Sequence, residues 1–154
     1  MGKVNLEEWL AQEKVQESIK EKIEEIKNYD IQVYHEDFAS AAEIVSAIPN
    51  EIESDNPTIM RIGKDGDATE FEFSVNIEYE IEISAEELDT DSSPPDSETK
   101  DYLWENYETN TYSDTLSLPT TIYATITDNE NYYITHIKIN NGKSITDFKK
   151  PSNL

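Results

Sequence analysis

Two histidines, a short acidic turn and a series of alternating glutamates are the residues in this chain whose types could do chemistry. His35 stands in Tyr34-His35-Glu36-Asp37, where His35, Glu36 and Asp37 could in principle hold a metal. Adjacent side chains alone cannot close a coordination shell, and no second cluster has suitable spacing. A surface histidine near the start of a helix is the expectation. His136 falls on a strand face opposite Ile137 and Ile139, where packing or exposure outweighs catalysis. Asp65-Gly66-Asp67 lacks the spacing and the closing glutamate of a calcium loop, so it reads as a hairpin turn. Asp89, Asp91 and Asp96 could hold only an adventitious cation. Paired glutamates suggest acid–base work, but Glu70, Glu72, Glu78, Glu80 and Glu82 occupy alternate positions, as the wet face of a strand would. No Ser or Thr sits in a nucleophile-elbow or phosphate-loop context. The residues therefore predict no catalytic group, no metal and no cofactor.

The aromatic residues offer a different chemistry. Tyr102, Trp104, Tyr107, Tyr112, Tyr123, Tyr132 and Tyr133 crowd the second half. Tyr and Trp join apolar area to a polar handle and are enriched at binding surfaces, although they are also ordinary strand residues. The candidate partner-binding surface is thus Glu70, Glu72, Glu78, Glu80 and Glu82 together with Trp9, Trp104 and Tyr107.

The element that must position the glutamates is the stretch from Thr69 to Ser84. Phe71, Phe73, Val75, Ile77, Tyr79, Ile81 and Ile83 alternate there with Glu, Ser and Asn. Successive side chains of a strand point to opposite faces, so one face is greasy and the other acidic. At ~3.3 Å per residue the stretch spans roughly 50 Å, beyond the usual strand. It must be bent by a bulge or shared between two sets of partners. A central strand of an antiparallel sheet with one wet side is expected.

Around it the chain reads as helices first and strands later. Asn5 and Glu8 make an N-cap pair. Leu6, Trp9 and Leu10 share one helical face, while Val15, Ile19, Ile23 and Ile26 form a displaced stripe. A helix over 5–12, a break, and a helix over about 13–28 fit that offset. Ile31–Tyr34 alternates as a short strand. Asp37 or Ser40 could cap a helix through FASAAEIVSAI that Pro49 ends. Thr58–Ile62 is a strand that Gly63–Asp67 turns back as a hairpin. Residues 85–101, rich in Asp, Ser and Pro, read as a mobile acidic loop. Tyr102–Tyr107 resumes as a strand or edge segment, and Leu116–Ile126 is a strand interrupted by Pro119. Tyr132–Ile139 is a strand with Ile134 on the face opposite Ile137 and Ile139, and Asn140-Asn141-Gly142 is a turn before a short strand at Ser144–Phe148.

The expected fold class is α+β, with N-terminal helices packed on or beside a twisted antiparallel β-sheet. A helical segment over 1–55 and a sheet region over 56–150 make one domain, a size suited to the 154 residues. There is no cysteine, which excludes disulfide and thiolate-metal scaffolds and fits a reducing compartment. No apolar run reaches membrane-spanning length and no signal-peptide pattern opens the chain, so the expectation is cytoplasmic.

Charge is the strongest global feature. The net value is −22, and residues 65–130 carry nineteen acids against the single base Lys100. Such a field repels phosphate backbones and attracts basic partners. Direct nucleic-acid binding is therefore not expected; a basic protein surface is.

The order of LEEWL, KVQESIKEKIEEI, IMRIGKDGDATEFEFSVNIEYEIEIS, the acidic loop, YLWENYE and LSLPTTIYATI resembles the region that follows a PIN-like nuclease domain in certain bacterial proteins. The likeness covers most of residues 5–127 and consists of patterns, with no catalytic signature among them. In PIN-like enzymes, acidic residues at strand ends bind Mg²⁺ or Mn²⁺ and cut RNA. That domain would precede Met1, so no catalytic residue carries over. The resemblance implies a non-enzymatic accessory module beside a PIN-like ribonuclease. The alternatives are an acidic inhibitor of a basic protein (immunity-type, antitoxin-type or a nucleic-acid mimic) and, more remotely, a metal-dependent enzyme.

Overall fold

The alternating stretch forms a single strand, β4 (Ala68–Leu88), in a computed structural model that describes residues 5–88, 106–127 and 131–149. The fold is α+β: an antiparallel sheet with two short N-terminal helices. Phe71, Phe73, Val75, Ile77, Tyr79, Ile81, Ile83 and Ala85 are all buried on one side of β4. Burying each large side chain among them contributes about 1.5–3 kcal/mol, which is why this strand sets the register of its neighbours.

One flank of β4 is covered by β5 (Tyr107–Ile126), through twenty consecutive antiparallel pairs from Thr69–Ile126 to Leu88–Tyr107. The other flank is shared. β3 (Thr58–Asp65) pairs with its first part as far as Ser74, and β2 (Ala42–Ile52) pairs with Ile77 to Ser84. Sharing between two sets of partners is thus how so long a strand is accommodated. β1 (Gln32–Val33) flanks the start of β2, and β6 (Tyr132–Lys138) flanks the end of β5. Gly66, with φ 64, is the first of the two residues that turn β3 into β4.

The helices are α1 (Leu6–Leu10) and α2 (Glu13–Glu24), broken where the offset apolar stripes require it. The Asn5 side chain accepts a hydrogen bond from the Glu8 N–H at 3.1 Å, satisfying one of the first-turn donors. α2 stops four residues short of the expected end. Leu6, Trp9, Leu10, Val15, Ile19 and Ile23 belong to the same buried cluster as the inner face of β4.

Five expectations are corrected. FASAAEIVSAI is not a helix, because residues from Ala42 onward form β2 and the segment over 1–55 is helical only as far as Glu24. Pro49 does not end the element but lies inside it, beside a register shift and on a stretch of β2 that β1 does not reach. Residues 85–88 of the expected loop are the last turn-free part of β4, while 89–101 lie outside the described residues. β5 is not interrupted at Pro119, which pairs with Asn76. Finally, Ile134 packs on the same core as Ile137, because a register shift beside Thr135 inserts one residue and returns the side chain to the inner face.

Candidate interaction surface

Pairing fixes what lies beside each outward-facing residue of β4. Glu78, Glu80, Glu82 and Glu86 stand opposite Ser117, Thr115, Ser113 and Thr109 of β5, with Ser84 opposite Thr111. A row of carboxylates therefore runs beside a row of hydroxyls. On the β2 side, Glu78, Glu80 and Glu82 face Glu51, Ile48 and Ser46. The Ser46 hydroxyl donates to Glu82 Oε2 at 3.5 Å. A shallow concavity of about 420 Å³ lies over this area, lined by Ser46, Ile48, Glu80, Glu82, Ser113 and Thr115 among others. Among the described residues, none of Glu70, Glu72, Glu78, Glu80 and Glu82 takes part in an ion pair.

The acidic face is divided in two by the turn after β6. Asn140, Asn141 and Gly142 all have φ between 54 and 77, which Asn and Gly tolerate best. That conformation lays Asn141 over the sheet, where its Oδ1 accepts hydrogen bonds from Ser74 at 3.2 Å and Thr121 at 2.6 Å. Ser74 and Thr121 are themselves a cross-strand pair, and Thr121 is buried beneath the turn. On one side of this cover lie Glu70 and Glu72, in company with Arg61, Gly63, Tyr123 and Tyr133 around a concavity of about 320 Å³. On the other side lie Glu78, Glu80, Glu82 and Glu86, with no cation among the described residues that line the adjoining concavity. The second half is the more strongly charged site.

The remaining candidates fall elsewhere. Trp9 was expected on the partner-binding surface and is corrected: it is wholly buried, its ring edge-on to Phe73 at 6.2 Å and to Tyr132 at 5.2 Å. Its helical face meets the chain's own sheet residues. Trp104 lies outside the described residues. Tyr107 is half exposed at the start of β5, opposite Leu88, at the far end of the acidic row.

His35 is not near a helix start. The Asp37 N–H donates to His35 Nδ1 at 3.1 Å. His136 lies on the outer face beside Tyr123, opposite Ile137 as expected. Among the described residues, no three His, Asp or Glu side chains gather as a metal site. A cavity of about 510 Å³ is lined by Ile26, Tyr29, Ile31, His136, Lys138 and Gly142, away from the acidic row.

Two features escaped the sequence reading. The period-two series Thr109, Thr111, Ser113, Thr115, Ser117 was visible but carried no meaning until β5 was placed beside β4. Glu87 was assigned to a loop, whereas it is buried on the inner face and accepts hydrogen bonds from Tyr112 and from Asn110 Nδ2, the latter at 3.0 Å.

Comparisons of the chain with protein-family models, with curated proteins and with solved structures give no match. The functional reading therefore rests on the site itself.

Proposed function

We propose that this chain is a non-enzymatic interaction module that binds a basic protein surface through the Glu78–Glu86 half of its outer sheet face. The observation that carries the reading is the pairing of that acidic row with hydroxyls on β5, in a region holding nineteen acids and one base. Carboxylates that form no ion pair among the described residues attract a basic partner and steer its approach. On this reading the helices form the layer that covers the inner face of a twisted sheet, leaving the outer face for the partner. The setting is cytoplasmic, and direct nucleic-acid binding is disfavoured by like charge. No helix of the described residues is long and apolar enough to cross a membrane.

The resemblance to regions that follow PIN-like nucleases makes such a ribonuclease the first partner to try. An inhibitor that imitates nucleic acid would use the same face, but it fits less well. A duplex presents two rows of charge, whereas β5 sets hydroxyls beside this row and β2 sets Ile48 and Ser46.

The test is capture from cell extract on the immobilised chain, eluted with rising salt. The expected result is a basic protein released at moderate salt and lost on the combined variant Glu78→Gln, Glu80→Gln, Glu82→Gln. A partner that this variant retains in full would overturn the assignment of the face.

A further inference from the structure

α2 ends at Glu24, and the chain that follows it walls a cavity. Residues 26–31 leave the helix as irregular chain and pass the edge of β6 that faces away from β5. Between the two lies the space of about 510 Å³, with Ile26, Tyr29 and Ile31 on one wall and Ile137 and Ile139 on the other. Both walls are pinned. The Tyr29 hydroxyl accepts the Ala47 N–H of β2 at 3.2 Å, and Asn141, at the turn end, is held by Ser74 and Thr121.

The lining sorts by depth. Ile31, Ile137 and Ile139 are buried and Ile26 and Tyr29 half-buried, so the floor is apolar. Lys22, His136 and Lys138 line the same cavity yet stay partly or fully open to solvent, so they stand at its mouth. Asp30 is the one acid among the described lining residues. Neither ammonium is held firmly. Lys22 stands 4.0 Å from Glu25, and Lys138 lies 5.7 Å from the centre of the Tyr123 ring. Exposed contacts of both kinds are weak, and a lysine stem lets its head swing to a better partner. The charge of the chain also reverses here: residues 131–154 carry four lysines against the single acid Asp147.

We infer that this cavity binds a small monocarboxylate with an apolar body. The hydrocarbon lies against the isoleucine floor, and the carboxylate sits between Lys22 and Lys138. An enclosed apolar space with a few polar groups at fixed places is the usual form of a small-molecule site, and the volume falls in the usual range of roughly 300–1,000 Å³. A neutral molecule would gain the floor and nothing from the mouth, while an organic cation would meet two ammoniums. The cavity lies away from the acidic row, so this ligand is additional to the basic partner and independent of it.

The probes are octanoate, octanol and octyltrimethylammonium, which share a chain length and differ in headgroup charge. Each is titrated into the full chain below its micelle concentration, with affinities and amide shifts read by NMR. Octanoate is expected to bind at least about tenfold more tightly than octyltrimethylammonium and to shift amides within 26–31 and 135–142. The double variant Lys22→Gln, Lys138→Gln should weaken octanoate about fivefold and leave octanol within about twofold. Equal binding of the three probes, or a variant that holds octanoate as tightly as the parent does, would overturn the carboxylate assignment. Shifts centred on Ile59, Met60 and Ile62, exposed apolar residues of β3, would place the hydrocarbon there and overturn the cavity as the site. Binding of no probe would overturn the proposal outright.

Discussion

Glu80 and Thr115 stand directly opposite one another across the β4–β5 pair, on the outer side of the sheet. Glu80 therefore has no compensating charge across the strand, while Glu78 and Glu82 flank it along the strand at ~6.7 Å. At that distance each neighbour costs about 0.6 kcal/mol in water before screening. Replacing Glu80 by Gln is expected to raise the free energy of unfolding by about 0.5 kcal/mol at low ionic strength, and the gain should vanish near 0.5 M salt. Urea denaturation at two salt concentrations checks this. An unchanged or lowered stability at low salt would mean that the row is not self-repelling.

Tyr79 lies beneath that row on the buried side, where its hydroxyl is 2.7 Å from Thr120 Oγ1. Thr120 donates onward to the Leu118 carbonyl, so the tyrosine is the donor of the first bond. Burial pushes the Tyr79 hydroxyl well above the ordinary tyrosine value, against the smaller opposite effect of the Thr120 hydrogen bond. Both folded and unfolded states keep the proton below pH ~10. Above it the unfolded chain ionises and the folded one does not, so stability falls as pH rises, by up to about 1.4 kcal/mol per unit. Tyr79→Phe should cost about 1 kcal/mol at pH 8. Its deficit relative to the parent should shrink between pH 10 and 11, measured by denaturant melts across that range. A constant deficit would contradict the buried, protonated hydroxyl.

Asn141 serves two purposes: it holds a positive φ, and it accepts from both Ser74 and Thr121. Two variants separate these roles. Asn141→Gly keeps the backbone freedom and loses the acceptor, and should destabilise by about 1–2 kcal/mol. Asn141→Ala also meets the left-handed penalty and should cost about 1 kcal/mol more. Thermal melts of the pair suffice, and equal costs would mean that the turn relaxes away from its observed conformation.

Trp9 fills the core between α1 and the sheet, so its removal should act on folding. Trp9→Ala is expected to destabilise by about 3–5 kcal/mol, through the cavity left against Phe73 and Tyr132. A near-neutral effect on urea denaturation would return Trp9 to the surface.

β4 was legible because its period is strict over the whole element, and a strict period of two has a single structural meaning. β2 was not, because register shifts at Val45 and Asn50 each insert one residue, so its buried positions include Ala42, Ile44, Ala47 and Ile52, a broken alternation that resembles helical spacing. Pro49 completed the illusion by looking like a terminator. One inserted residue beside Thr135 misplaced Ile134 in the same way. The glutamates of the candidate site were legible as an acidic face. Their division by Asn141 was not, since that contact joins residues 67 positions apart. Trp9 shows the remaining gap: its helical face was visible, but a pattern does not say which chain the face will meet.

The most direct measurement compares two neutralised variants of the same face, binding a short oligolysine by calorimetry at low salt. One carries Glu78→Gln, Glu80→Gln and Glu82→Gln; the other carries Glu70→Gln and Glu72→Gln. The open half of the face is expected to dominate, so the first variant should lose at least about tenfold in affinity and the second no more than about twofold, with the parent's affinity falling steeply as salt rises. Equal losses per charge removed, at either half, would contradict a defined docking surface and leave only a diffuse acidic field.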